Sequence, residues 1–210
     1  RMKMHELLER NASRSPDKTF LFSEFESVSN RQARDVVQKV ATAFRSFGVT
    51  PGDRVLIFAP NSINYVLAMF AAFELGAIAA LIDVLDLESY RRNVRRLAPR
   101  LAISISSHLT DLKQASPKGT KFVSLDGGVD FAQSWDSLLA HDARIVPKNF
   151  KESDPCHLSF TSGTTYQPKP AILSHEPTLR ATNCIAERLG LQSDDTSYGI
   201  TTLSSSHILV

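Results

Sequence analysis

The sequence predicts an α/β protein in which βαβ units lay down a parallel sheet with helices on both faces. Three observations carry this expectation. Short apolar runs recur at residues 54–58, 78–82, 101–105 and 122–125, the pattern of strands that are covered on both faces. The stretches before and between the first three place apolar residues at helical spacing. Glycine or proline marks the junctions, at Gly48, Pro51, Gly52, Gly76 and Pro99. Strands that alternate with helices in this way build parallel sheets. Such sheets bind ligands beyond the carboxyl ends of their strands.

Taken in order, the first clear element is a helix over residues 30–47. Ser29 and Gln32 form a capping box, and Ala33, Val36, Val37, Val40, Ala41 and Phe44 follow on one face until Gly48. Pro51 and Gly52 turn the chain into a strand, Arg54 to Phe58. A second helix, residues 63–74, starts at Asn61 or Ser62 as N-cap and ends before Gly76, and Ile78 to Ile82 is the next strand. These two strands are expected to be parallel neighbours in the sheet interior. Leu87, Tyr90, Val94 and Leu97 then give a narrow helical stripe that Pro99 ends, followed by apolar Leu101 to Ile105 and a further strand, Phe122 to Leu125. A soft boundary, or an ordinary surface loop, falls near residues 147–155 in the polar stretch PKNFKESDP.

With 210 residues the chain is long enough to bury roughly 70% of its unfolded surface and needs no staple. Its 42% hydrophobic and 22% charged content excludes collagen-like, coiled-coil and largely disordered chains. Basic and acidic residues nearly balance, 24 against 22, so no global field selects nucleic acid or a membrane surface. Cys156 and Cys184 lack CxxC spacing and read as two half-buried thiols in a reducing cytoplasm, not as a disulfide or a metal site. No secretory signal opens the chain, and Glu74 and Gly76 interrupt the apolar stretch 65–82, which reads as helix plus strand and not as a transmembrane span. Five arginines, Arg91, Arg92, Arg95, Arg96 and Arg100, read as a solvated helix face opposite the Leu87/Tyr90/Val94/Leu97 stripe.

One segment carries chemistry: LSFTSGTTYQPKPAILSH, residues 158–175. Four hydroxyl side chains, Thr161, Ser162, Thr164 and Thr165, surround Gly163, and Lys169 follows six positions beyond that glycine. Hydroxyls and backbone N–H groups donate to phosphate oxygens, a small residue lets the backbone approach, and lysine supplies a mobile positive charge. The flanking Pro168 and Pro170 exclude a Walker loop. By composition alone the segment is a phosphate site or a serine/threonine-rich turn.

The order of residues resembles the phosphate-binding signature of the adenylate-forming superfamily, which includes acyl-CoA synthetases and coumarate-CoA ligases. That signature reads TSGTTG, any residue, PKG, then an apolar strand ending in Ser-His or Thr-His; here it stands as TSGTTYQPKP followed by AILSH. The resemblance extends to HELLERNASRSPDKTFLF as the opening helix and strand, to residues 48–83 as the first αβαβ segment, and to DDTSYGITTLSSSHILV as the strand approaching the acyl pocket. It implies a carboxylic acid substrate activated as acyl-AMP, then passed to coenzyme A, with ATP and Mg²⁺ required. By position, Thr161, Ser162, Gly163, Thr164, Thr165 and Lys169 would hold the phosphates, with Lys169 also the catalytic charge on the departing pyrophosphate. His207 would stand at the edge of the acyl pocket, and His175 is read as structural.

Two departures accompany the resemblance. Tyr166 and Pro170 replace the signature's glycines, where a bulky residue or a missing N–H hinders closure on phosphate. Family members are more than twice as long, and the chain reaches Val210 before the superfamily's later motifs and mobile C-terminal domain. Residues 1–210 are therefore expected to be a partial N-terminal domain, inactive alone and binding ATP weakly or not at all. The alternative is a catalytically dead relative that serves as a binding or interaction module. A serine hydrolase built on Ser206 and His207 is excluded, since neighbouring strand residues point to opposite faces and no GxSxG elbow is present. The cytoplasm is the expected compartment, with the peroxisome as the other.

Overall fold

The computed structural model describes residues 2–83, 90–143, 149–160, 169–199 and 202–204. In chain order the elements are α1 (Met4–Arg14), β1 (Thr19–Phe22), β2 (Ser27–Ser29), α2 (Asn30–Ser46), β3 (Arg54–Phe58), α3 (Ile63–Leu75), β4 (Ile78–Leu81) and α4 (Tyr90–Leu97). They continue with β5 (Leu101–Ser104), α5 (Ser106–Ala115), β6 (Lys121–Ser124), β7 (Gln133–Ser134), α6 (Trp135–Leu139), β8 (Pro155–Phe160), β9 (Pro170–Ser174) and α7 (His175–Leu189).

Local chemistry sets the ends of the two central helices. Ser29 Oγ accepts from the Gln32 N–H at 3.2 Å while Gln32 Oε1 accepts from the Ser29 N–H at 2.8 Å, the reciprocal cap expected for α2. Ser62, not Asn61, caps α3 through the Tyr65 N–H at 3.1 Å. That helix ends at Gly76, whose φ of 69° is left-handed. A Cβ there would run into the Phe150 ring, so both backbone and packing require glycine.

The main sheet has the order β7-β6-β5-β3-β4-β8-β9, and β1 with β2 forms a separate antiparallel hairpin. The expected pair is parallel, with Arg54 opposite Ile78 and Ile57 opposite Leu81. Every other pair in the main sheet is parallel except β8 with β9, which is antiparallel. The parallel expectation thus meets one exception, at the edge. Phe160 faces Pro170, so only residues 161–169 join the two strands. A parallel return needs a crossover of a dozen or more residues.

Alternate residues of each strand serve opposite layers. Val55, Ile57, Ala79, Leu81, Leu101 and Ile103 join the core under α1, α2, α3 and α6. Leu56, Phe58, Ala80, Ile82 and Ala102 join the second core, under α4 and α5. Both faces are covered, as the continuous apolar runs require. Helices α5 and α7 were not apparent from periodicity because few of their residues are buried: Leu109, Leu112 and Ala115 in one, and His175, Thr178 and Leu179 in the other.

Three further expectations resolve here. Arg91, Arg92, Arg95 and Arg96 lie exposed, opposite buried Tyr90, Val94 and Leu97 of the expected stripe and Asn93 besides, while Leu87 lies outside the described residues; Arg91 pairs with Asp111 at 2.8 Å, and Arg100 donates to the Gly48 carbonyl at 3.2 Å. The two thiols are not both half-buried: Cys156 is buried and Cys184 exposed. Among the described residues no helix is long and apolar enough to cross a membrane.

Two buried histidines make stability depend on pH. Burial lowers the pKa of His157 from 6.5 to about 4. Burial also lowers that of His175 from 6.5 to about 4, with nearby Lys3 acting in the same direction and Asp154 opposing. Between these values the unfolded chain takes up protons that the folded chain refuses, so the stabilisation is complete above pH ~6.5 and declines towards pH ~4. The expected loss is up to about 3 kcal/mol per histidine. Urea unfolding followed from pH 7 to 4.5 should show it, and His157→Phe should remove about one proton from the uptake on unfolding.

Candidate functional site at the carboxyl end of the sheet

Strand β8 is a buried strand between β4 and β9, and its carboxyl end leads in sequence into the hydroxyl-rich segment 161–165. Leu158 and Phe160 pack into the core under α4 and α5, and β8 runs parallel to β4 with Ser159 opposite Leu81. The segment therefore leaves the sheet on the side where the parallel strands end, where open α/β sheets place their ligands. Thr161, Ser162, Gly163, Thr164, Thr165 and Tyr166 lie outside the described residues, as does His207. Lys169 is described: it is exposed and stands immediately before β9. The structure thus brings Lys169 back to the carboxyl end of β8 through the Phe160–Pro170 pairing.

Pro170 is the first residue of β9, and β9 is an edge strand of the sheet. Sheets tolerate proline at that position because its missing N–H costs no ladder bond. Its replacement of glycine is accommodated without disturbing the register from Pro170 to Leu173.

His175 occupies the other end of the hairpin. Ser174 faces Pro155, so His175, six residues beyond Lys169 at the far end of β9, lies roughly 20 Å from it. It is fully buried, its Nδ1 accepts from the Met4 N–H at 3.2 Å, and its ring stacks on Phe150 with centroids 5.4 Å apart. It ties α1 to the start of α7, the structural role read from the sequence.

Sequence reasoning missed a second group at the same end as the loop. Asn61 follows β3, and Asp83 follows β4. Asn61 Oδ1 accepts from the Leu203 N–H at 2.8 Å, and Asp83 Oδ2 accepts from Thr202 Oγ1 at 3.0 Å. The available signal was positional, since both residues come directly after strands whose carboxyl ends face the expected ligand side.

Two other features stand away from this end. A hollow of about 360 Å³, lined by residues including Phe47, Lys113, Lys121, Phe131 and Gln133, opens where β6 and β7 begin, at the opposite end of the strands. His5, Glu9 and Glu74 approach one another closely enough to hold a metal, but the Arg34 guanidinium lies 3.0 Å from Glu9 and 3.4 Å from Glu74. A cation already bridges both carboxylates, which makes this an ion-pair cluster joining α1, α2 and α3.

Comparison with known proteins adds to this geometry. The family model described as AMP-binding enzyme matches residues 8–209. A methyl-dioxo-octahydroindenyl propanoyl:CoA ligase of Mycobacterium tuberculosis is 26% identical, over 90% of this chain and 39% of its own length. The mitochondrial medium-chain acyl-CoA ligase of Bos taurus is also 26% identical, over 88% of this chain and 35% of its own. Among solved structures, a candidate long-chain-fatty-acid CoA ligase from Rhodopseudomonas palustris CGA009 superposes with a TM-score of 0.89 at 19% identity, covering 97% of this chain and 52% of that one. The chain thus spans between a third and two fifths of the length of these two curated relatives.

Proposed function

Since the chain belongs to the AMP-binding enzyme family, we propose that it is the N-terminal part of an acid–thiol ligase that activates a carboxylic acid as acyl-AMP and then transfers the acyl group to coenzyme A. The observation that carries this reading is the hairpin that returns Lys169 to the carboxyl end of β8, with the hydroxyl-rich segment 161–165 between the two strands. The CoA ligase names of the relatives support it.

The donor set suits a polyphosphate. Backbone N–H groups and the hydroxyls of Thr161, Ser162, Thr164 and Thr165 would take the β- and γ-phosphate oxygens of ATP, with Gly163 permitting close approach. A substrate carboxylate oxygen attacks the α-phosphorus, and the bond from that phosphorus to the β-bridging oxygen breaks. Pyrophosphate leaves with the electron pair, and Lys169 opposes the charge that grows on it. In the second step the thiol of coenzyme A gives its proton to solvent, its sulfur bonds to the acyl carbon, and the bond from that carbon to the phosphate oxygen breaks, so that AMP leaves with the electron pair. Mg²⁺ supplies further charge neutralisation on the phosphates when bound. His207 would border the acid.

We place all of residues 1–210 in one partial domain. Phe150 is buried against His5 and His175, which supports keeping the described residues 149–155 within that domain. The free thiols fit a reducing compartment, and the cytoplasm is proposed; the bovine relative's name places that protein in the mitochondrion. A second reading, a non-catalytic interaction module, draws on Tyr166 in place of the signature's glycine.

Product analysis tests the proposal. The longest natural form, given ATP, Mg²⁺, coenzyme A and a panel of carboxylic acids, should yield AMP, pyrophosphate and a thioester, while the 1–210 polypeptide alone should yield none. ADP and phosphate as products would contradict the chemistry. A natural form that consumes no ATP with any acid would favour the interaction module.

A further inference from the structure

We propose that Asn61 and Asp83 are positioning residues that clamp residues 202–204 onto the carboxyl ends of β3 and β4 and thereby set the carboxylic-acid side of the site. The clamp rests on the adenylation reading for its functional consequence and on the structure for its existence.

Two hydrogen bonds define it. The Leu203 N–H donates to Asn61 Oδ1 at 2.8 Å across 142 residues of sequence, and Thr202 Oγ1 donates to Asp83 Oδ2 at 3.0 Å across 119 residues. The two acceptors come from the ends of adjacent parallel strands, so they fix the segment at two points about one strand spacing apart. Thr202 and Leu203 belong to no strand, and side chains supply the partners that a ladder would otherwise give. The Leu203 side chain is partly buried against the core of which Tyr65 is a member, giving the segment a third, apolar anchor.

The neighbourhood of Asp83 is also built. Tyr65, in the first turn of α3, is 1% exposed, and its hydroxyl has no hydrogen-bond partner among the described residues. Burial raises its pKa strongly, and the negative charge of Asp83 adds to the rise, so the phenol stays protonated beside the carboxylate. Asp83 thus acts electrostatically on the Tyr65 phenol and holds the Thr202 hydroxyl directly.

Position is what such a clamp supplies. Thr202 and Leu203 lead in sequence through Ser204 to His207, the stretch that the resemblance assigns to the acyl pocket. A displacement of about 1 Å in a wall that orients a reacting carboxylate can cost about 10²-fold in rate. Asn61 follows β3, which β4 separates from β8, the strand that the phosphate loop leaves. Loss of the clamp should therefore weaken the acid's binding more than that of ATP.

The test uses the longest natural form of the protein, with Asn61→Leu and Thr202→Val to remove each bond, and Asn61→Asp and Thr202→Ser to keep an acceptor or a hydroxyl. Amide hydrogen exchange at Leu203 reports the clamp, and acid-dependent pyrophosphate exchange reports KM for acid and for ATP separately. In Asn61→Leu the Leu203 amide should exchange about tenfold faster, and in both deletion variants KM for the acid should rise about tenfold. KM for ATP should stay within about twofold, and the two conservative variants should restore most of the loss. Unchanged Leu203 exchange, equal changes in both KM values, or an unchanged acid KM despite a freed Leu203 amide would each overturn the proposal. A wild-type protein without acid-dependent exchange would instead remove the adenylation reading and with it the functional role. The clamp itself would then be decided by the Leu203 amide alone.

Discussion

Lys169→Ala is expected to lower acid-dependent adenylation by about 10²- to 10³-fold in the longest natural form, with the fold intact. The size is that of one charge stabiliser acting on a group that becomes more negative in the transition state. The fold should survive because Lys169 is exposed and precedes β9 without contributing a residue to the ladder. Lys169→Arg should recover only part of the loss, since a planar guanidinium does not reproduce a compact ammonium. Pyrophosphate exchange measures the first effect and circular dichroism the second. A rate within about threefold of the parent would remove Lys169 from the mechanism.

Arg34→Ala is expected to destabilise the natural protein by about 3 kcal/mol. Glu74 sits in α3, a helix otherwise apolar on nearly every side, and is 1% exposed. Its carboxylate stays buried because Arg34 lies 3.4 Å away and bridges to Glu9 at 3.0 Å. Removing the guanidinium leaves two carboxylates without the cation they share. Pairing the change with Glu74→Gln separates charge from packing: the double variant should be more stable than Arg34→Ala alone, because the buried charge is gone. Urea unfolding of the single and double variants decides it. A double variant whose loss equals the sum of the two single losses would show that the ion pair contributes nothing.

What could be read in the sequence was what local spacing determines. Ser29 and Gln32 announce α2, and the runs at 54–58 and 78–82 announce β3 and β4, because each signal lies within a few residues of its consequence. The order TSGTTYQPKP pointed to Lys169, and the structure puts that residue beside the carboxyl end of β8. The direction of β9 is also implicit, since residues 161–169 are too few for a parallel crossover, but only once Phe160 and Pro170 are recognised as strand ends. Helix α7 carries Pro177 near its start and buries little apolar surface, so neither propensity nor periodicity marks it. The contacts of Asn61 and Asp83, as distinct from their positions after β3 and β4, were illegible for a different reason. Their partners lie 142 and 119 residues away, and no local pattern encodes a contact formed only after the sheet has assembled.

The central claim is that the segment between β8 and β9 holds the phosphates of ATP while a carboxylate displaces pyrophosphate. Exchange of labelled pyrophosphate into ATP tests it most directly, because it requires reversible acyl-AMP formation and no thiol acceptor. With the longest natural form, exchange should appear only when a suitable carboxylic acid and Mg²⁺ are present, and it should fall with Lys169→Ala. Exchange that proceeds equally without any acid, or none across a broad panel of aliphatic and aromatic acids, would contradict the account.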